Sequence, residues 1–217
     1  MVFYLTGIDG SGKTTLLNGI EEYHNQLHVK TTRIWARYSP RLAKILVTGF
    51  KKKMGTIGNN YNSINEEDYN KWNSYKQRLT KNRFIRFFAL MILSADYYLQ
   101  ILPFLGRIRK NESDLILIDR FVIDFLADQI VNMGDISDTF IYKRFIKICN
   151  QFNAVFFISV KPEIALSRKN DIPGLNYLQE RDRAYRNIIK DLRKGYIIDN
   201  SGPQSRALQE IIDIIKI

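Results

Sequence analysis

The chain has 217 residues, of which 45% are hydrophobic and 25% charged, a composition typical of a soluble globular domain. Cys149 is the only cysteine, and no apolar run approaches the ~20 residues that a membrane span needs, so we expect a cytoplasmic protein with neither a disulfide scaffold nor a membrane span. The formal net charge of +11 favours polyanionic partners, such as phosphorylated small molecules, nucleic acids or anionic lipids, without choosing among them.

Five short apolar runs predict buried strands, and helical patterns fill the gaps between them. The first run, Val2 to Thr6, is closed by Gly7, and a helix begins near Lys13. The other runs span residues 29–35, 115–119, 154–160 and 196–199. Strands that alternate with helices form βαβ units. We therefore predict an α/β fold with a five-stranded parallel sheet flanked by helices, in a single domain over residues 1–217.

The segment from about 37 to 111 is strongly basic and too long for one crossover helix. Its patterns predict helices from about Pro40 to Lys53, from about Glu66, and from about Asn82 to Arg109. Pro103 is expected to kink or end the last of these. Several aromatic residues here could line a pocket, although such side chains pack in the core more often. They are Trp35, Trp72, Tyr75, Phe87 and Phe88.

The run Gly7-Ile8-Asp9-Gly10-Ser11-Gly12-Lys13-Thr14 fits the pattern of a phosphate-binding loop, with a predicted strand before it and a helix after it. Glycines allow successive backbone N–H groups to converge on phosphate oxygens, and the positive end of the following helix adds to the field. Lys13 can then reach the β- and γ-phosphates, and the Thr14 hydroxyl can bind Mg²⁺. The loop predicts binding of a nucleoside triphosphate.

A second candidate cluster stands where the third predicted strand ends, at Asp119 and Arg120. Open α/β sheets build their sites at the carboxyl ends of strands. The planar guanidinium of Arg120 suits a second phosphate, and Asp119 could reach Mg²⁺ through water. The pair could instead form a salt bridge at the strand end. A GTPase would usually also carry an Asn-Lys-x-Asp motif, which this sequence lacks.

These blocks together resemble the thymidylate kinase family. Residues 7–15 are similar to that family's P-loop, and Asp119-Arg120-Phe121 is similar to its Asp-Arg-aromatic motif. Residues 160–168 resemble the segment that leads into its lid, residues 181–185 the helix that leaves the lid, and residues 198–201 its last strand. The resemblance implies a P-loop three-layer sandwich with a short lid at about 168–183 and an enlarged helical acceptor-side segment. It also implies transfer of a phosphoryl group from ATP, with Mg²⁺, to dTMP or a related nucleoside monophosphate.

The resemblance further implies a role for each matching position. ATP would be bound by Gly7, Asp9, Gly10, Ser11, Gly12, Lys13, Thr14 and Thr15. Mg²⁺ would lie near Thr14 and Asp119. Catalysis would involve Lys13, Asp9 and the lid residues Arg168 and Arg181, with Arg183 as a further candidate. The acceptor would meet Asp9 and Arg120.

The predicted acceptor site departs from the family's pattern. The segment after the second strand reads Ile34-Trp35-Ala36-Arg37-Tyr38-Ser39-Pro40 and lacks the family's glycine, although Arg37 can still bind the acceptor phosphate. By alignment, Leu93 takes the place of a phenylalanine that stacks on the base, and Tyr97 that of an arginine that reads its edge. A site built to hydrogen-bond one base loses its discrimination when the donor is missing. The identity of the acceptor therefore stays open.

Three functions follow from these patterns. The first is a thymidylate-kinase-like nucleotide kinase, and the second a P-loop kinase whose phosphorylated acceptor is not a nucleotide. The third is a nucleotide-binding protein without kinase activity that uses its basic surface to bind nucleic acid or membrane. The basic residues 41–86 could form a pocket wall or a dimer surface, and residues 41–53 could lie on an anionic membrane. The resemblance also implies a homodimer through the long helices.

Overall fold

A computed structural model describes residues 1–41, 43–44, 66–169 and 171–216 of the chain. Its strands are β1 (Val2–Thr6), β2 (Thr31–Trp35), β3 (Leu115–Asp119), β4 (Ala154–Ser159) and β5 (Gly195–Asp199). They form one sheet in the order β2-β3-β1-β4-β5, and every neighbouring pair is parallel. The predicted α/β class and five-stranded parallel sheet are confirmed.

Helices cover both faces of this sheet. They are α1 (Lys13–Gln26), α2 (Glu66–Thr80), α3 (Arg83–Lys110), α4 (Val122–Met133), α5 (Phe140–Cys149), α6 (Pro162–Ser167), α7 (Leu175–Lys190) and α8 (Gln204–Ile215). Side chains of α1 and α8 form the core on one face, and those of α3, α4, α5 and α7 form the core on the other. Cys149 is buried in the second core, as its apolar surroundings predict.

The central strand β1 lies between β3 and β4, both of which are buried along their whole length. This burial explains why β3 and β4 are continuous apolar runs instead of alternating ones. In the parallel register Leu5 lies between Asp119 and Phe156, so the loops that follow β1, β3 and β4 leave the sheet at the same edge. The chain crosses from one side of β1 to the other here, which is where open α/β sheets form a crevice for ligands.

The helices of the segment 37–111 agree with the sequence patterns except at Pro103. Helix α2 begins at Glu66, and α3 follows Asn82, whose side chain accepts hydrogen bonds from two backbone N–H groups of the first turn. Pro103, which we expected to kink or end the helix, does not end it, since α3 continues to Lys110. Proline withholds only one helical hydrogen bond, and the buried Phe104 beside it ties the last turns to the core. Most of the helix predicted from Pro40 to Lys53 lies outside the described residues.

Helix α3 also overturns two other expectations. By length and composition it is apolar enough to cross a membrane, although we expected no such stretch, and only 28% of its most apolar window is buried. Phe87 and Phe88 of this helix, like Trp35 of β2, are not in the core, because each residue is more than half exposed. The outward face of α3 is therefore strongly apolar.

Candidate active site

The loop between β1 and α1, residues 7–12, is packed tightly against helix α6 and against Asn200, which follows β5. Gly10 and Gly12 both have left-handed backbone conformations, with φ of 79° and 87°. A Cβ atom on Gly10 would lie 2.4 Å from the carbonyl oxygen of Ala165, and one on Gly12 would lie 2.5 Å from the amide nitrogen of Asn200. That amide donates a hydrogen bond of 2.8 Å to the carbonyl oxygen of Ser11. Only glycine satisfies both the conformation and the space at these two positions.

Lys13, the first residue of α1, turns its ammonium group back into this loop. Its Nζ donates to the carbonyl oxygens of Gly7 and Ile8 at 2.7 Å each, and to the hydroxyl of Ser11 at 3.1 Å. Burial foremost, and then the nearby Arg120, lower the pKa of Lys13 to about 8. A cation held here by neutral oxygens attracts an anion to the loop, because desolvated charges gain most from a counter-charge.

Arg120 links the loop to the end of β3. It has a positive φ of 60°, and its guanidinium forms an ion pair with the Asp9 carboxylate. Burial alone would raise the pKa of Asp9, but the charges of Arg120 and then Lys13 outweigh it and hold the pKa below its ordinary value. Asp9 is therefore an ionised carboxylate that sits between two cations at the mouth of the crevice.

Asp124, one turn into α4, organises the floor beneath Arg120. Its Oδ2 accepts hydrogen bonds from the hydroxyl of Tyr4 at 2.6 Å and from the backbone N–H of Phe121 at 3.0 Å. Its Oδ1 accepts from the hydroxyl of Tyr185 at 2.9 Å and lies 3.5 Å from the Arg120 guanidinium. One buried carboxylate thus ties β1, the end of β3 and helix α7 together, and it fixes the direction of the arginine.

Helix α7 brings a second arginine to the same place. The Arg181 guanidinium lies 2.8 Å from the Asp128 carboxylate and 3.7 Å from the centre of the Tyr177 ring. Burial by itself would lower the pKa of Arg181. The negative charge of Asp128, foremost among its neighbours, outweighs burial and raises the pKa above its ordinary value, so the side chain stays charged. The Tyr177 hydroxyl donates to Asp9 at 3.2 Å, and Tyr69 of α2 packs edge-on against its ring. The helix is thereby tied to the β1–α1 loop on one side and to α2 on the other.

These side chains enclose one cavity at the carboxyl edge of the sheet. Three arginines and three aspartates form most of its charged lining, and tyrosines form much of its wall. The cavity is lined by Gly7, Ile8, Asp9, Arg37, Tyr38, Arg120, Asp124, Phe125, Asp128, Tyr177, Arg181 and Tyr185. Such a wall can bind a phosphate through the guanidinium groups and can accept hydrogen bonds from hydroxyl groups through the carboxylates.

The predicted metal residues and the lid residues Arg168 and Arg183 lie around this cavity and not in it, whereas the lid residue Arg181 lines it. Asp119 forms a 2.9 Å ion pair with Arg33 of β2, whereas Arg120 pairs with Asp9, so the two residues do not form the salt bridge with each other that the sequence left open. Thr14 is exposed in the first turn of α1. Arg168 is exposed and donates to the carbonyl oxygen of Asn200, next to the loop. Arg183 is exposed and donates only within α7, so it points away from the cavity.

A bound metal would need ligands from outside the protein. Among the described residues, no three His, Cys, Asp or Glu side chains come together as a metal site. Mg²⁺ commonly uses one or two protein oxygens together with water and substrate phosphates. Thr14 and Asp119 fit that arrangement, Asp119 through a bridging water because Arg33 occupies its carboxylate.

Two of the predicted acceptor contacts are not brought to the cavity. The Tyr97 side chain is 1% exposed, and its ring stacks on Phe125 at 4.6 Å within the core. Leu93 packs against the same core and is not part of the cavity wall. Both are held there because α3 turns this side toward the sheet. The site residues that the patterns missed include Tyr38, Asp124, Asp128 and Tyr177. Asp124 lies four residues after Arg120 and Tyr177 four residues before Arg181, so helical spacing from the predicted arginines could have pointed to these two.

No protein-family profile matches this chain, and no curated protein matches it in sequence. The function therefore rests on the residues themselves.

Proposed function

We propose that the chain is a kinase that uses ATP and Mg²⁺ to phosphorylate the phosphate of a small acceptor, with dTMP or a related nucleoside monophosphate as the first candidate. In this proposal, residues 7–14 are a P-loop within a P-loop sandwich, residues 168–183 are its lid, and the segment 37–111 forms the acceptor side. The observation that carries it is the ion pair that connects the cation in the glycine loop to the cation in the cavity. Lys13 lies inside a glycine loop, and the Asp9 of that loop pairs with Arg120 in the adjoining cavity.

The proposed chemistry is an in-line transfer. An oxygen of the acceptor phosphate attacks the γ-phosphorus, the bond from that phosphorus to the β–γ bridging oxygen breaks, and ADP leaves. Lys13 and the loop N–H groups would hold the β- and γ-phosphates, and Arg120 and Arg37 would hold the acceptor phosphate. Arg181, with Arg168 from the loop side, would neutralise charge on the transferring group. Positioning and charge neutralisation of this kind supply most of the catalysis in phosphoryl transfer.

A non-nucleotide phosphorylated acceptor is the second candidate, and one observation favours it. Leu93 and Tyr97, which would stand where the family reads the base, are not on the cavity wall. Carboxylates of Asp9 and Asp128 line that wall instead, and carboxylates can accept hydrogen bonds from the hydroxyl groups of a sugar. A sugar phosphate would satisfy both the arginines and the aspartates.

ADP release measured with a coupling system tests the proposal. ATP and Mg²⁺ are supplied with dTMP, with each of the other nucleoside monophosphates, and with a panel of sugar phosphates, and the rate with water alone is the baseline. We expect one acceptor class to raise the rate well above that baseline. A rate that no phosphorylated acceptor raises would contradict the kinase proposal, and a rate raised only by sugar phosphates would select the second candidate.

Lys13→Ala and Lys30→Ala form the matched pair for this assay. Lys13 is buried in the loop, whereas Lys30 is exposed before β2. We expect turnover to be lost in the first variant and kept in the second. ATP binding that survives in Lys13→Ala would place the nucleotide elsewhere.

A further inference from the structure

The exposed face of α3 is the largest feature that the proposed activity leaves unexplained. Phe84 is 75% exposed and Phe88 60% exposed. Other large apolar side chains continue the face toward the C-terminal end of the helix at three- and four-residue spacings, which places them on one side. They are Ile85, Phe87, Met91, Ile92, Leu99 and Leu102, each at least 40% exposed. Contiguous exposed apolar patches of this kind mark interaction sites.

The charges of α3 stand at its two ends. Asp96 is the only charged residue between Arg86 and Arg107, and it is buried and bonded to the Tyr38 hydroxyl and to backbone N–H groups. The apolar strip between these arginines is about 30 Å long at the helical rise of ~1.5 Å per residue. Basic residues flank it at both ends. They are Lys81 and Arg83 before the strip, and Arg107, Arg109 and Lys110 after it. Arg86 lies on the opposite side of the helix, since it is two residues from both Phe84 and Phe88.

We propose that this face docks the protein onto an anionic lipid bilayer, with α3 lying in the plane of the interface. The apolar side chains enter the boundary between headgroups and acyl chains, and the cations at both ends bind the headgroups. The net charge of +11 acts in the same direction, since it draws the whole molecule toward a negative surface.

The helix lies on the bilayer and does not cross it. Its opposite side carries Leu90, Tyr97 and Ile101, which are buried against the sheet and α4, so α3 cannot leave the domain without exposing that core. In this orientation the rest of the domain remains in water. The crevice at the carboxyl edge of the sheet stays open to soluble ATP.

A second copy of the chain complements this face less well. Both ends of the strip are basic, so two α3 helices aligned along it would bring cations onto cations in either the parallel or the antiparallel direction. The phosphates of a nucleic acid would bind the charged ends, but they would make no favourable contact with the long apolar centre of the strip. Anionic lipid is the partner that satisfies both parts.

Vesicle cosedimentation tests the proposal with the full chain. The probes are vesicles of phosphatidylcholine alone and of phosphatidylcholine mixed in equal parts with phosphatidylglycerol. We expect binding to the mixed vesicles that weakens as salt is raised, and much less binding to the neutral ones. Replacing Arg107, Arg109 and Lys110 with Gln should weaken the binding by about fivefold per charge.

The double variant Phe84→Gln/Phe88→Gln should weaken vesicle binding by about tenfold or more, since two exposed rings no longer enter the lipid. Leu27→Gln is the control, because Leu27 is 57% exposed at the end of α1, on the other face of the sheet from α3, and its loss should leave binding unchanged. Leu99→Gln/Leu102→Gln at the other end of the strip is a second pair, in case the first pair does not fold.

Three results would overturn the proposal. Absence of binding to anionic vesicles is the first, and binding that both Gln pairs leave intact is the second. The third is a stable dimer in solution that the Gln pairs dissociate while no vesicle binding is seen, because a second copy would then cover the face. None of these outcomes depends on phosphoryl transfer, so the kinase proposal stands or falls separately.

Discussion

Replacing Asp124 with Ala should strongly destabilise the folded protein. The change removes the acceptor for the buried hydroxyls of Tyr4 and Tyr185 and for the backbone N–H of Phe121, and it removes one counter-charge of Arg120. Each buried donor left unsatisfied costs about 1–3 kcal/mol, and breaking a buried charged pair costs about 3–5 kcal/mol. These costs overlap because the groups share one carboxylate, so we expect a loss of about 4 kcal/mol in the free energy of unfolding.

Thermal unfolding followed by circular dichroism measures this loss. In a chain of this size each kcal/mol lowers Tm by about 2–4 °C, so Tm should fall by roughly 10 °C. Asp213→Ala is the control, since that carboxylate is half exposed and its contacts are to the exposed side chains of Lys216 and Gln209. Its Tm should change by no more than about 2 °C. Equal Tm values for the two variants would refute the view that Asp124 holds the site together.

Three further predictions concern the crevice. Gly10→Ala should destabilise the protein more than Gly134→Ala does, and it should also impair ATP binding. Both glycines have φ near 80°, but only Gly10 would place its Cβ against backbone atoms. Equal losses in the free energy of unfolding, measured by urea titration, would exclude the steric cause. ATP should bind about tenfold more weakly at pH 9 than at pH 7. The pKa of Lys13 in the empty loop is about 8, so at pH 9 most of the protein must protonate Lys13 before it can bind ATP. An affinity that calorimetry finds equal at the two pH values would contradict this. Arg181→Lys should lower kcat by about tenfold or more while Arg183→Lys leaves it unchanged, and similar losses in both would put Arg183 back in the site.

The sequence patterns predicted the sheet well because its three central strands, β1, β3 and β4, are nearly continuous apolar runs. Residues 115–119 and 154–159 could only be buried parallel strands, and each strand is found within two residues of its predicted bounds. The glycine loop was also predicted, since the left-handed conformations at Gly10 and Gly12 require glycine at these two positions. These features are local: they follow from the side chains and backbone freedom of a few consecutive positions.

Alignment with a family could not predict which side chains of α3 face the crevice. Leu93 and Tyr97 were assigned to the acceptor by position in the sequence, yet Tyr97 stacks on Phe125 in the core. The rotation of a 28-residue helix depends on which of its faces packs best against the sheet and α4, and apolar residues occupy nearly all of its faces. Its pattern therefore carries little information on direction. For the same reason, the exposed strip from Phe84 to Leu102 was not foreseen.

By itself, the sequence determined the order of the strands and helices and the loop at residues 7–14, since both follow from short-range patterns. Only the tertiary structure decided what surrounds that loop. It brought together Asp9, the neighbouring pair Arg120 and Asp124, and Arg181, which come from three separate parts of the chain and whose charges balance one another. It also decided that Asp119 faces Arg33 instead of open water. Such partners are distant in sequence, and the packing of the helices on the sheet is what sets their distances in space.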